Sequence, residues 1–395
     1  MAITKKKVTK SSKSLLELLE TKYNAFFEPE KFSTGILPLD EVLGGAIETG
    51  SLIELASESG VGKSTLALDL ARNLARLYQF KTLYIDTEGS VKKDMISGIG
   101  LTEYLSTKSN PDNYFTLVRV AGYTEVEELI SKSLQEGQFK LIVIDSLSAL
   151  TGDVYLDLDE NRNSTENRVG FDAQMTSRLL KKLNALKTDY DCIFFCINQT
   201  RVDLSNPWQA SFKSTGGQAV KFFPDVRLFM KRDKVIYDQA TLLTGATDKA
   251  TVGATTTIEA IKSRLGQGFI KYPMTIYFGK GISNLAAYVS LLELPTVVNS
   301  KGVTVLEHVT KVTNVLHLDS GDYQSTKGAN GLVLLIKEHW DEVEKICFNY
   351  VTNYFHEQHT VSEDTDYDER DDLTYEENKL VDYTADDTED LDSAG

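Results

Sequence analysis

Apolar runs of five to seven residues recur along this chain. They alternate with stretches whose apolar residues return every third or fourth position. The runs at 52–56, 82–86, 115–120, 140–145, 192–198, 226–231, 256–262 and 274–279 read as strands. Helical spacing covers 64–79, 124–135 and 168–187, and the first of these puts Leu66, Leu70, Leu74 and Leu77 on one side. Strands alternating with helices predict an α/β fold with a mainly parallel sheet covered on both faces. The last two strands have no helix between them and read as a hairpin extending that sheet. Residues 14–26 read as a short amphipathic helix, and Phe32–Ala46 as a turn-rich entry into the core. Residues 283–360 read as a small α+β domain with an amphipathic helix around 332–350. The expected organisation is a segment 1–32, a core 33–282, a domain 283–360 and a tail 361–395.

Composition changes this picture in one place. Apolar content of 41% is ordinary for a globular chain, and the sequence has no apolar run of spanning length. The lysine-bearing N-terminus has no apolar signal region behind it. The net charge of −16 looks wrong for a partner of nucleic acid until it is located. Residues 361–395 hold fifteen acids against Arg370 and Lys379, so −13 lies there and −3 in the rest. A near-neutral body has room for local basic patches. The acidic tail predicts disorder. Two readings stay open for it, a solubilising tail and an electrostatic competitor for a basic DNA site. Cys192, Cys196 and Cys347 form no framework and point to a reducing compartment. Cys192 and Cys196 read as buried strand residues rather than a metal pair, and His356 and His359 as surface.

The chemistry concentrates at strand ends. Ser57-Glu-Ser-Gly-Val-Gly-Lys-Ser64 lies between an apolar strand and an amphipathic helix. Backbone N–H groups of such a loop wrap a phosphate, and the helix dipole adds to the attraction. Ser57, Glu58, Ser59, Gly60, Val61, Gly62 and Thr65 would form the cradle. Lys63 would reach the β- and γ-phosphates, and the Ser64 hydroxyl would hold Mg2+. Ser57 stands where the usual pattern has its first glycine. A plain glycine turn is the alternative. Asp145 ends an apolar strand and would share the Mg2+ with Ser64, or would only cap the next turn. Asp86 and Glu88 follow another strand. Glu88 is the better general base for water attack on the γ-phosphate, against an ordinary loop acid. Gln199 closes a third strand as an uncharged donor near the phosphate, or as a cap.

In combination these stretches resemble the RecA family of homologous recombination ATPases. The resemblance runs from about Phe32 to Ser283. It rests on Ser33-Thr-Gly and Leu39-Asp40, the phosphate loop, Ile85-Asp-Thr-Glu88, Ile144-Asp-Ser146, Ile197-Asn-Gln-Thr-Arg201, Thr215-Gly-Gly-Gln-Ala-Val-Lys-Phe222, Val226-Arg-Leu228 and Ala260-Ile-Lys-Ser-Arg264. It implies a DNA-dependent ATPase using ATP and Mg2+, forming helical filaments on single-stranded DNA in the cytoplasm and pairing it with duplex DNA. Single-strand-binding protein and a loading mediator join the implied partners; a membrane does not. Glu88 looks like the water-activating residue and Gln199 like the γ-phosphate switch. Lys262 and Arg264 resemble a lysine pair that enters the neighbouring subunit's ATP site. Arg at the second position keeps the charge and adds a planar fork. Phe222 resembles a subunit-contact anchor, and the 14–26 helix an oligomerisation element.

Two loops, Gly152–Arg168 and Thr200–Ser214, follow strands on the same side. The second carries Arg201, Leu204, Trp208, Phe212 and Lys213, cations and flat groups suited to single strands. The resemblance makes Leu204 and Val169 wedges between bases, and places Ser177, Lys181, Gly216, Gly217 and Gln218 on DNA. An aromatic loop tucked under the next subunit is the alternative. Gln174 and Asp203 stand where bacterial members place cations, and Met95 falls near the family's adenine-stacking aromatic. Such departures suit a divergent or phage-encoded member. Two rivals stay open. A hexameric helicase motor would carry a further N-terminal domain, where residues 1–32 stand here. An accessory mediator would not need Lys63, Glu88 and Asp145.

Overall fold

The computed structural model describes residues 29–136, 139–152, 165–203, 211–214, 217–237, 251–264 and 270–360, without the side chains of 165–170, 201–203, 211–214 and 355–360. The chain enters through β1 (Lys31–Phe32), α1 (Leu37–Leu43) and β2 (Ile47–Glu48), where β1 and β2 pair antiparallel. The core then runs β3 (Leu52–Ser57), α2 (Lys63–Tyr78), β4 (Thr82–Asp86), α3 (Lys93–Ile99), β5 (Phe115–Arg119), α4 (Tyr123–Gln135), β6 (Leu141–Asp145), α5 (Thr165–Asp189), β7 (Ile193–Asp203), β8 (Ser211–Ser214), α6 (Ala219–Phe222), β9 (Val226–Tyr237), β10 (Thr251–Ser263), β11 (Lys271–Tyr277) and β12 (Gly281–Ser283). The strand order is β12-β11-β10-β9-β3-β7-β6-β4-β5, with β8 paired to β7. Pairing is parallel from β9 through β5 and antiparallel from β9 to β12. The predicted mainly parallel α/β sheet and its hairpin extension are therefore both present.

The central strands are apolar on both faces because helices cover both faces. Ile53 and Leu55 of β3 join Leu66, Leu70 and Leu74 of α2 in one cluster. Leu52 of β3 joins Phe194 and Cys196 of β7 and Leu179, Leu180 and Leu183 of α5 in the other. Cys192 and Cys196 are fully buried, as their strand placement implied. The α2 stripe ends at Leu74. Leu77, expected on the same face, is 40% exposed.

The entry segment holds a helix that its turn-rich composition hid. Pro38 sits in the first turn of α1, and Gly44 closes it in the left-handed conformation. Asp40 ties the preceding turn, accepting from Ser33 Oγ at 2.6 Å and from the Thr34 amide at 2.7 Å. Burial pushes its carboxyl up to about 7.

Residues 283–360 form α7 (Leu285–Leu292), the strands β13 (Leu306–His308), β14 (Asn314–Leu318) and β15 (Gly321–Ser325), then α8 (Gly328–Glu338) and α9 (Trp340–Thr360). Their cluster includes Tyr288, Leu316, Ile336 and Cys347, and it takes in Leu37 of α1. The single helix expected around 332–350 is two. The backbone breaks at His339, which packs on Tyr323, while Trp340 packs on Tyr288 at 5.0 Å. Adjacent aromatic residues with different partners turn the chain there. Among the described residues no helix is long and apolar enough to cross a membrane.

His317 on β14 is flanked by Asp322 of β15 at Nδ1 (2.9 Å) and Glu307 of β13 at Nε2 (3.0 Å). Hydrogen bonds to Asp322 and then Glu307 raise its pKa. A raised histidine pKa stabilises the fold fully below the unfolded value, about 6.5, and loses that stability as pH rises through the folded value. The melting-temperature difference between wild type and His317→Gln should therefore shrink as pH rises from about 6 upward. A difference constant across that range would show that the histidine carries no linked proton.

Candidate active site

Parallel register decides what meets at the carboxyl end of the sheet. Ser57 of β3 pairs with Gln199 of β7, and Asp86 of β4 with Asp145 of β6. The loop after β3 and the first turn of α2 lie on this line. Gly60 and Gly62 adopt φ of 71° and 113°. A side chain at Gly62 would also strike Ile276 of β11 at 2.6 Å. Ser57, by contrast, is not among the positive-φ positions, so glycine is not required there. Its hydroxyl donates to the Glu58 carbonyl at 2.8 Å and accepts from Lys63 Nζ at 3.0 Å. Lys63 also donates to the carbonyls of Ser57 (3.2 Å) and Glu58 (2.8 Å). Three ammonium protons thus face three loop oxygens. Burial lowers the Lys63 pKa, and the charges of Asp145 and Glu88 work against that.

A pocket of about 350 Å3 opens over the loop. Ser59, Gly60, Gly62, Lys63, Ser64 and Thr65 form its floor, and Glu88, Met95, Asp145 and Gln199 line it as well. The sequence placed all of these in one site. Glu58 is exposed beside it, and the Val61 side chain belongs to the apolar core.

The acids divide the work. Asp145 is buried and accepts from Tyr84 OH at 2.6 Å. Burial raises its pKa, and hydrogen bonds from Tyr84 and Ser64 oppose the rise. A buried carboxylate beside the Ser64 hydroxyl is an all-oxygen donor pair, which fits a hard divalent cation such as Mg2+. Asp86 turns away and accepts from the amides of Ser90 (3.1 Å) and Val91 (3.0 Å). Glu88 turns in. Its Oε1 accepts from Ser146 Oγ at 2.6 Å and from Gln199 Nε2 at 2.8 Å. Thr87 fixes the neighbouring backbone, donating through Oγ1 to the Ser146 carbonyl (2.8 Å) and accepting from its amide (2.7 Å).

The far wall was not read from the sequence. Phe278 and Gly279 line the pocket from the turn between β11 and β12. The apolar run 274–279 reads as strand throughout, but the strand ends at Tyr277, because Phe278-Gly-Lys-Gly281 forms a turn. Two contacts hold that turn in place. Asp69 of α2, buried, accepts from the Ile282 amide at 2.7 Å. Gly98 of α3 lies so close that a Cβ there would sit 1.9 Å from the Gly279 carbonyl oxygen. Arg232, one residue beyond the predicted end of its strand, donates to the Gly60 carbonyl.

The remaining candidates lie elsewhere. Lys262 donates to the carbonyls of Lys221 (3.1 Å), Phe222 (3.0 Å) and Pro224 (2.6 Å), and Arg264 to that of Phe222 (3.0 Å). Neither lines this chain's own pocket. Phe222 is 64% exposed. Ser177 and Lys181 follow Ala173 at helical spacing on α5, and Gly217 faces Ala173, its φ of 72° in the left-handed region. Gln218 is exposed beside it. The expected loop 200–214 begins and ends as a hairpin, with Arg201 opposite Lys213 and Val202 opposite Phe212. Period-two alternation in Thr200-Arg-Val-Asp and Ser211-Phe-Lys-Ser accounts for it. The side chains of Val169, Arg201, Phe212 and Lys213 lie outside the described residues. So do Leu204, Trp208, Gly216, the 14–26 helix, the side chains of His356 and His359, and the tail 361–395.

The RecA N-terminal domain profile matches residues 2–283. A Protein RecA from Haemophilus ducreyi is 25% identical over 318 residues, 80% of this chain and 76% of the relative. The Protein RecA of Geobacter metallireducens is 27% identical over 270 residues, covering 68% and 73%. That of Borrelia hermsii is 29% identical over 260 residues, covering 65% and 67%. The chain belongs to the RecA family.

Proposed function

We propose that this chain is a DNA-dependent ATPase that forms filaments on single-stranded DNA, pairs it with homologous duplex and exchanges strands. RecA-family proteins are DNA-dependent ATPases with a recombinase role. One observation carries the reading to this chain. Lys63, Ser64, Glu88, Asp145 and Gln199 converge on one pocket, with Glu88 hydrogen-bonded to Gln199.

The residues divide the reaction as follows. The loop amides and the N-terminus of α2 bind phosphate oxygens. Lys63 exchanges its loop carbonyls for phosphate oxygens, which carry more charge and fix the triphosphate. Ser64 and Asp145 hold Mg2+, which supplies neutralisation of phosphate charge. Glu88 accepts the proton of the attacking water. Gln199 shares the same carboxylate oxygen, so movement of β7 alters how Glu88 is held. Phe278 and Met95 flank the nucleobase. Ser177, Lys181, Gly217 and Gln218 form part of the DNA face, continued by the paired strand ends at 201–203 and 211–213. Lys262, Arg264 and Phe222 serve the neighbouring subunit, with residues 1–32 as the docking segment of the filament.

Glu88→Gln should keep ATP binding and filaments in electron microscopy, while turnover falls by about 10²–10⁴. Normal phosphate release from that variant would remove Glu88 from the mechanism, and six-membered rings in place of filaments would favour a helicase motor. Lys63→Ala should weaken ATP binding by about tenfold or more, as loss of a charge-assisted contact implies. Equal ATP affinity in a titration would discard the phosphate loop. Gly98→Ala must move the turn carrying Phe278 and Gly279. KM for ATP should rise by about tenfold with a smaller change in kcat, the pattern of lost uniform binding. An unchanged KM would show that this wall does not touch the nucleotide.

A further inference from the structure

We propose that Asn198 is a positioning residue for ATP hydrolysis, held by buried Glu54 so that Gln199 stays aimed at Glu88. The inference rests on the ATPase reading and adds a residue to its machinery. Asn198 and Glu54 are both fully buried. Asn198 Nδ2 donates to Glu54 Oε1 at 2.8 Å, and its Oδ1 accepts from the Gln199 amide at 2.9 Å. Glu54 Oε2 in turn accepts from Arg227 Nε at 2.6 Å. Register explains the meeting. Glu54 pairs with Cys196 on one side and Arg227 on the other, and Ala56 pairs with Asn198. Side chains alternate along a strand, so Asn198 and Glu54 share one face of the sheet. Gln199 points to the opposite face, where its Nε2 meets Glu88 Oε1 at 2.8 Å.

The location gives the contact its consequence. Pairing of β6 with β7 ends at Ile144 opposite Cys196, two residues before Asn198. Beyond Gln199, β7 leaves the sheet and pairs with β8, beginning at Thr200 opposite Ser214. Asn198 therefore clamps the backbone at the point where β7 passes from sheet to hairpin. It fills both amide functions to do so. A carboxylate in the middle of a sheet is costly to bury, and an apolar residue of similar size would be easier to accommodate. Glu54 therefore serves geometry rather than stability. Its hydrogen bond sets the Asn198 amide, and that amide sets the Gln199 peptide. Loosening the clamp leaves the catalytic carboxylate with one of its two donors poorly placed.

The test is a double-mutant cycle on full-length protein with single-stranded DNA and ATP. Asn198→Ala should lower DNA-stimulated kcat by about tenfold and change KM for ATP little, the mark of an interaction made in the transition state. Gln199→Ala should be affected no further by adding Asn198→Ala, because the two act as a unit. Additive losses, or an unchanged kcat in Asn198→Ala, would overturn the proposal. If Asn198→Ala does not fold, Asn198→Leu, which keeps the volume and removes both amide functions, replaces it in the same cycle with the same two outcomes. Wild-type protein without DNA-stimulated hydrolysis would instead refute the ATPase reading on which the inference rests.

Discussion

In-register parallel pairing across β3, β7, β6 and β4 is the constraint on which the rest of this molecule depends. It brings Ser57 beside Gln199 and Asp86 beside Asp145 at one edge of the sheet. Each strand contributes a buried apolar run that fixes its height, and the polar residue that ends the run inherits that height. A slip of one residue would send every side chain to the other face. The candidate site is thus specified by core packing that contains none of its polar groups. Leu52, Ile53, Phe194, Phe195, Ile142 and Val143 hold the strands level; Ser57, Gln199 and Asp145 stand at their ends.

The second requirement is a wall for the pocket, and it comes from backbone contact rather than from side chains. The β11–β12 turn crosses above α2 and meets α3 at Gly98. Asp69 anchors its far side through the Ile282 amide and is held by Arg72 at 2.6 Å. Gly281, with φ of 102°, leaves room for that carboxylate; a Cβ would come within 2.9 Å of it. Helix α2 therefore serves the pocket twice. Its first turn lies in the floor, and its second turn ties down the strand pair that closes the opposite wall.

The alternation of apolar runs with helical spacing made the sheet, its helices and most of the pocket legible. Strands whose ends carry chemistry announce themselves, because an apolar run followed by Asp, Glu or Gln is a strong local contrast. What escaped had weaker local signals. Helix α1 is seven residues long and contains a proline, so composition alone looks like a turn. The break at His339 depends on Tyr323 and Tyr288, which are distant in sequence. Phe278 and Gly279 enter the site only because β11 and β12 fold over α2. Ser57 departs from the usual glycine pattern. The structure shows that the backbone there does not require glycine, and that the hydroxyl bridges Lys63 to the loop. Local pattern reports which strand end a residue occupies; it does not report which distant turn will face it.

The two faces of β3 meet different surroundings. One face presents Ile53 and Leu55 to α2. The other carries Glu54 among apolar neighbours, bonded to Asn198 and Arg227. Removing one partner of a buried ion pair such as Glu54–Arg227 costs about 3–5 kcal/mol, so the buried carboxylate requires its partner. Arg227 lies on β9, just after the segment whose carbonyls at 221, 222 and 224 receive Lys262. Asn198 lies on β7, just before the hairpin at 200–214. Glu54 therefore joins the strand nearest the exposed Phe222 to the strand that carries Gln199.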